Sequence, residues 1–268
     1  MIKLRDESLK ELTNIYHIVL FKNDQSLYIF FEGCNFNCKG CILKLSPWDC
    51  HIPANIHFKL QSHNIEKLSL SQFDSIIGKL SVKKAILGGG EPTVDIKLES
   101  VINLLNSYNI YTILLTNGYN LNPFTISKFE RLGLKEVCVS IKALNNHIHT
   151  QYTGKSNERV LRNFELLNKS TIKLRAESVL IPNLIDINEI EFIAKFIASV
   201  NPKIPYRIDS YIQVPNTPWQ NAPLNKILKA VELASKYLEN VSYIHESMPI
   251  KGNVEVIYPK VIINEEFN

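Results

Sequence analysis

Cys34, Cys38 and Cys41 lie in the run Glu32-Gly33-Cys34-Asn35-Phe36-Asn37-Cys38-Lys39-Gly40-Cys41, three thiols within eight residues. A cysteine often serves as a small buried hydrophobe. Three so close together, among glycines and polar residues, point instead to a metal. Two readings fit the spacing. The triplet plus Cys50 would make a four-thiolate zinc site. Alternatively, the three thiolates hold three irons of a four-iron four-sulfur cluster and leave the fourth iron open for a ligand.

A second motif follows at Leu87-Gly88-Gly89-Gly90-Glu91-Pro92-Thr93, where three of the chain's ten glycines stand in a row. Such a run at a strand end lets a ligand approach the backbone and leaves its amides and carbonyls free to bind. The order is neither that of a dinucleotide fingerprint nor that of a triphosphate loop.

The elements that must position these residues alternate regularly. Short apolar runs at 27–31, 84–87, 111–115, 137–141, 172–179 and 206–211 read as strands. Stretches of helical period lie between them at 71–80, 98–108, 157–167, 187–199 and 224–238. Six strands each followed by a helix predict a parallel sheet wound by right-handed crossovers, as a partial barrel or a doubly wound sheet. Either places the site at the C-terminal strand ends. Residues 42–68 break the rhythm with Pro47, Trp48, Cys50, His51 and Pro53, and loops this long are usually functional.

Composition narrows the class. The 268 residues, 45% hydrophobic and 21% charged, are globular and are expected as a single domain over 1–268 with its core at about 24–240. A net charge of +4 is too mild to argue for nucleic acid. The N-terminal charges Lys3, Arg5, Asp6, Glu7, Lys10 and Glu11 do not read as a secretory signal, and no apolar run reaches membrane-spanning length. Five cysteines without an export signal suit a reducing compartment, the cytoplasm by default.

Together, the cysteine triplet and Gly-Gly-Glu-Pro resemble the radical S-adenosylmethionine enzymes over nearly the whole chain. The resemblance implies a partial (β/α)6 TIM-like barrel, one 4Fe-4S cluster on Cys34, Cys38 and Cys41, and S-adenosylmethionine chelating the open iron. Gly89, Gly90 and Glu91 would then hold the cofactor's amino end. It also implies a reaction in which one electron cleaves the sulfonium and the resulting 5′-deoxyadenosyl radical abstracts hydrogen, with reduced flavodoxin or ferredoxin as donor. Lys39 and Lys44 would help an acidic donor dock. The residue before the third cysteine, often aromatic in the family, is Gly40.

Later segments resemble the glycyl-radical-enzyme activases, which show T-N-G, D-L-K, H-x3-T-G, S-N-x3-L and R-x3-I-P-G in this order. Here stand Thr116-Asn117-Gly118, Ser140-Ile141-Lys142, His149 to Gly154, Ser156 to Leu161, and Arg175 ahead of Ile181-Pro182-Asn183. That resemblance adds Asn117 and Ser140 as cofactor-binding residues and a large glycyl-radical enzyme as partner, while strand position points Lys142 and Arg175 toward the barrel mouth, where a positive charge would pair with the cofactor carboxylate. Two aspartates of the family, which help bind a monovalent cation, are Leu115 and Ser140 here, so the cation site is expected to be absent. A small-molecule radical enzyme resembling the carboxy-deazaguanine synthases is the alternative, and a zinc-binding scaffold is the non-enzyme one. Cys138 reads as core.

Overall fold

The computed structural model describes residues 11–248 and 252–260, so most of the charged N-terminal stretch lies outside the described residues. Among the described residues, nine strands form one sheet: β1 Ile15–Phe21, β2 Ser26–Phe31, β3 Lys84–Gly89, β4 Tyr111–Thr116, β5 Glu136–Ser140, β6 Lys173–Leu180, β7 Tyr206–Ser210, β8 Val241–Ile244 and β9 Val254–Tyr258. Their order is β8-β7-β6-β5-β4-β3-β2-β1-β9. From β2 to β8 every pair is parallel, while β1 pairs antiparallel with both β2 and β9. The sheet is open, an incomplete barrel, in agreement with the fold class expected from the sequence.

Eight α-helices are described: α1 Ala54–Leu60, α2 Leu70–Ile77, α3 Leu98–Ser107, α4 Pro123–Arg131, α5 Asn146–Thr153, α6 Glu158–Leu167, α7 Ile187–Val200 and α8 Leu224–Ala234. Their local signals are plain. Ser69 and Gln72 close a capping box on α2, and Asn122 with Pro123 starts α4. The periodicity located α2, α3, α6, α7 and α8 but not α4 and α5, nor α1, which lies within the segment 42–68 read as a loop.

The two faces of the sheet differ in chemistry, because side chains alternate along each strand. On one face Ile29, Leu87, Leu114, Val137, Ala176 and Ile208 form a dry layer with helix residues such as Val101, Phe164 and Ile193. The other face lines the barrel lumen. The register places Leu115, Cys138 and Arg175 in one row across it, and Ser140, Glu177, Arg207 and Ser242 in the next.

β1, β8 and β9 extend the sheet beyond the six strands read from the sequence. β8 and β9 are short edge strands of mixed polarity, which carry little periodic signal. On the lumen side of β1 and β2, a second apolar cluster joins Tyr16, Val19 and Phe30 to Trp48, Ile52, Ile56 and Leu60. The long loop after β2 therefore closes one flank of the lumen.

His17 on β1 sits in that closure. It is fully buried, its Nδ1 lies 2.7 Å from the Tyr258 carbonyl, and Trp48 meets it edge-on at 5.2 Å and Phe30 at a tilt at 5.1 Å. Burial disfavours the imidazolium and lowers its pKa to about 4 against the Tyr258 carbonyl and the Asp49 charge, which raise it. The neutral ring then donates from Nδ1 to Tyr258. Between an unfolded pKa of about 6.5 and the folded one, the unfolded chain takes up a proton that the folded chain refuses. Stability should therefore fall as pH drops through this window. Thermal melts from pH 7 to 4 should show a shallower acid dependence for His17→Gln than for the wild type; parallel curves would contradict the assignment.

Candidate active site

The site is assembled at the C-terminal ends of β2 to β5, where four loops meet. The triplet loop leaves β2 at Gly33, which has a positive φ of 87° that favours glycine. The loop is fixed at two backbone positions on α5: Asn37 N donates to Thr153 O at 2.9 Å and Lys39 N to Tyr152 O at 3.0 Å. This contact gives the spacing His149 to Gly154 a physical purpose. Gly154, at a φ of 82°, stops α5 so that its last carbonyls face the loop. His149 Nδ1 is 2.8 Å from Lys155 O and its ring meets Phe36 edge-on at 5.6 Å. Gly40 is needed for space, since a Cβ there would lie 2.7 Å from the Tyr211 ring and 3.2 Å from the Tyr152 hydroxyl. Tyr211 thus fills the room opened by the missing side chain.

The glycine run is also needed by the protein's own packing. A Cβ on Gly88 would strike the Tyr28 hydroxyl at 2.4 Å, and one on Gly90 would lie 2.2 Å from Gly33 O and 2.7 Å from Phe31 O. The neighbour that approaches the backbone here is the protein's own β2. Gly90 N and Glu91 N close the seam by donating to Phe31 O and Gly33 O, both at 2.8 Å.

Glu91 is 1% exposed, and its carboxylate accepts four hydrogen bonds. Oε1 receives Thr93 N at 3.1 Å, Thr93 Oγ1 at 2.6 Å and Thr116 Oγ1 at 2.6 Å; Oε2 receives Asn117 N at 2.6 Å. Burial raises its pKa, and these four donors hold it down. The carboxylate therefore lashes the end of β4 to the end of β3. Asn117 in turn donates to Asn35 Oδ1 at 2.6 Å, with Cys34 Sγ at 3.9 Å from the same nitrogen.

Cys34 and Cys38 share one electrostatic environment. Burial pushes Cys38 up to about 11; the other two thiolates push the same way, and the Lys142 ammonium opposes them. Cys34 is raised for the same leading reason and again opposed by Lys142. Lys142 donates to Ser140 Oγ at 2.5 Å. Ser140 and Lys142 thus meet beside the triplet, as do Asn117 and Glu91. Leu115 faces the lumen and presents no oxygen.

Arg175 lies elsewhere. It pairs with Glu136 at 3.0 Å, and Tyr111 OH donates to the same carboxylate at 3.0 Å, near the N-terminal ends of the strands. Counting back from Ile181 in the order R-x3-I-P puts the arginine at position 177, where this chain has Glu177. A guanidinium reaches that level from the next strand: Arg207 binds Glu177 at 2.5 Å and Asp209 at 2.8 Å. Burial and the Glu177 charge raise Asp209 to about 6. This lumen cluster escaped the sequence reading, although the alternations Arg175-x-Glu177 and Arg207-x-Asp209 are its signal.

Cys50 does not join the triplet. Its sulfur lies 3.6 Å from His51 Nδ1, beside Asp49, in the middle of the long loop. Cys138 is buried in β5, where burial raises its thiol well above the ordinary value.

The profile of the Radical SAM superfamily matches residues 28–197, from β2 into α7. The chain belongs to the radical S-adenosylmethionine superfamily. It is 33% identical over 237 residues, 87% of this chain and 84% of the other, to a Methanocaldococcus jannaschii protein described as a candidate glycyl-radical enzyme activating enzyme. It is 30% identical to the 7-carboxy-7-deazaguanine synthase of Haemophilus influenzae over 101 residues, 38% of this chain and 40% of that one. The solved structure of Streptococcus suis SuiB bound to S-adenosylmethionine superposes with a TM-score of 0.58 at 15% identity, covering 83% of this chain. The chain spans 46% of SuiB's length, so that likeness concerns the fold. Among the described residues, no helix is long and apolar enough to cross a membrane.

As a member of the superfamily, this radical S-adenosylmethionine enzyme works with a 4Fe-4S cluster and S-adenosylmethionine. The site fits them. Its donors are three thiols on one short loop, of which Cys34 and Cys38 feel the Lys142 ammonium, and the Asn35 Nδ2 amide is buried beside Cys34 with no protein partner. Because the Gly33–Gly90 seam tolerates no Cβ, Gly90→Ala should lower the unfolding free energy by about 1–3 kcal/mol, the range for overpacking, and should weaken S-adenosylmethionine binding. Ile96→Ala, 87% exposed nearby, should leave both unchanged in denaturant titration and equilibrium dialysis.

Proposed function

We propose that this enzyme reductively cleaves S-adenosylmethionine and takes a hydrogen atom from a glycine of a protein partner, as an activase of a glycyl-radical enzyme. The observation that carries the reading is the H-x3-T-G helix end clasping the cysteine loop, together with 33% identity over most of both chains to the M. jannaschii protein. In this reading Cys34, Cys38 and Cys41 hold the cluster. When bound, cluster and cofactor together supply cleavage of the sulfonium bond and a hydrogen-abstracting adenosyl fragment.

The chain's own residues bind, orient and shield. Gly89, Gly90 and Glu91 offer carbonyls to the cofactor's amino end, while Glu91 keeps that loop rigid. Lys142, oriented by Ser140, supplies positive charge for the cofactor's carboxylate, a charge-assisted bond favoured where water is scarce. Asn117 links the β4 end to the triplet. Arg175, held by Glu136, serves the lumen wall. Exposed Lys39 and Lys44 flank the triplet and suit an acidic donor such as reduced flavodoxin or ferredoxin.

Protein made in medium with α-deuterated glycine gives the direct test. Deuterium should appear in 5′-deoxyadenosine when the enzyme meets the macromolecular fraction of such a lysate. Label arriving only with the small-molecule filtrate would replace the activase reading by the small-molecule one.

Leu115 gives a second expectation, because a leucine cannot ligate sodium or potassium. Cofactor cleavage should not change when potassium is replaced by a bulky organic cation at constant ionic strength. Lys142→Met should weaken S-adenosylmethionine binding by about 1.5–3 kcal/mol, as for losing a bond to a charged group. A saturable potassium requirement, or unchanged affinity in Lys142→Met, would count against this arrangement.

A further inference from the structure

The long loop after β2 carries a second set of ligand atoms that the radical chemistry does not use. One ligand atom each from Asp49, Cys50 and His51 lies within 4.8 Å of the others. Three consecutive residues can converge this way because the chain turns around the Asp49 carboxylate: Oδ1 accepts His51 N at 2.7 Å and faces His51 Nδ1 at 2.8 Å. Asp49 is itself fixed, only 4% exposed, whereas Cys50 and His51 are open to solvent. An ion can therefore enter from the surface onto a carboxylate that is already oriented.

The separations suit one metal class. A tetrahedral ion bound at about 2.3 Å to sulfur and about 2.0 Å to nitrogen sets those two ligands about 3.5 Å apart. Cys50 Sγ and His51 Nδ1 stand 3.6 Å apart. Carboxylate and imidazole would need about 3.3 Å, so the Asp49–His51 contact must open by about half an ångström as the proton between them leaves. Thiolate and imidazole together favour zinc-like ions over magnesium or calcium, which prefer oxygen.

We propose that Asp49, Cys50 and His51 form a binding site for one zinc-class divalent cation, with water as the fourth ligand. Loading exchanges the ion for the Cys50 thiol proton and the His51 imidazolium proton, and both protons pass to solvent. The ion pins the loop that closes the lumen, since Trp48 and Ile52 on either side of the trio are buried in the cluster on β1 and β2. This site is separate from the triplet, and the inference does not depend on the activase reading.

The test uses the iron-loaded holoenzyme titrated with zinc chloride in equilibrium dialysis, with zinc and iron counted by mass spectrometry. The wild type should take up about one zinc per chain without losing iron, and bound zinc should raise its thermal midpoint. Cys50→Ala and His51→Gln should each lose at least tenfold in zinc affinity while iron content and the zinc-free midpoint stay unchanged. No zinc uptake by the wild type below millimolar concentration, uptake matched by iron loss, or equal affinity in the variants would overturn the proposal.

Discussion

The buried carboxylate of Glu91 is the constraint on which the site depends. Removing an ionised carboxylate from water costs several kcal/mol unless donors compensate it. Thr93 supplies two donors, Thr116 one and the Asn117 amide one. Bonds to a charged group contribute about 1.5–3 kcal/mol each, so four can offset the desolvation. Once the carboxylate is held, the ends of β3 and β4 have one relative position. Asn117 extends the chain of bonds to Asn35, and so to the start of the cysteine loop. The cysteine loop is then set from the other side by the last carbonyls of α5. The thiols are thus presented by a loop without regular structure that is nevertheless held at both flanks, which is the preorganisation a cluster site requires.

The sheet divides its labour by face. Its outer face is apolar and packs on the helices, giving the scaffold stability. Its inner face carries Glu136 with Arg175 and Glu177 with Arg207 and Asp209, charges kept in pairs because the lumen is only partly wet. These pairs leave a polar wall below the triplet, facing the space a substrate must enter.

Much of this was legible in the sequence because the signals are local. The triplet spacing and Gly-Gly-Glu-Pro mark the site, and short apolar runs mark β2 to β7. The reasons behind some motifs were not legible, since they rest on contacts distant along the chain. Gly88 is required by Tyr28, Gly40 by Tyr211, and His149 to Gly154 by the backbone of Asn37 and Lys39. β1 and β9 were missed because β9 is short and half exposed and β1 precedes the first motif. Arg175 was placed at the cofactor from its position on a strand leading to the barrel mouth, whereas two residues along a strand move a side chain roughly 7 Å, enough to pair it with Glu136 instead.

In the proposed function, Cys34, Cys38 and Cys41 hold an iron–sulfur cluster able to cleave S-adenosylmethionine. Iron, acid-labile sulfide and zinc counted in protein prepared without oxygen, alongside 5′-deoxyadenosine formed on reduction, test it most directly. The wild type should be brown with about four irons and four sulfides per chain, and Cys34→Ala should lose both metal and product. A colourless wild type with zinc on the triplet and no 5′-deoxyadenosine would contradict it.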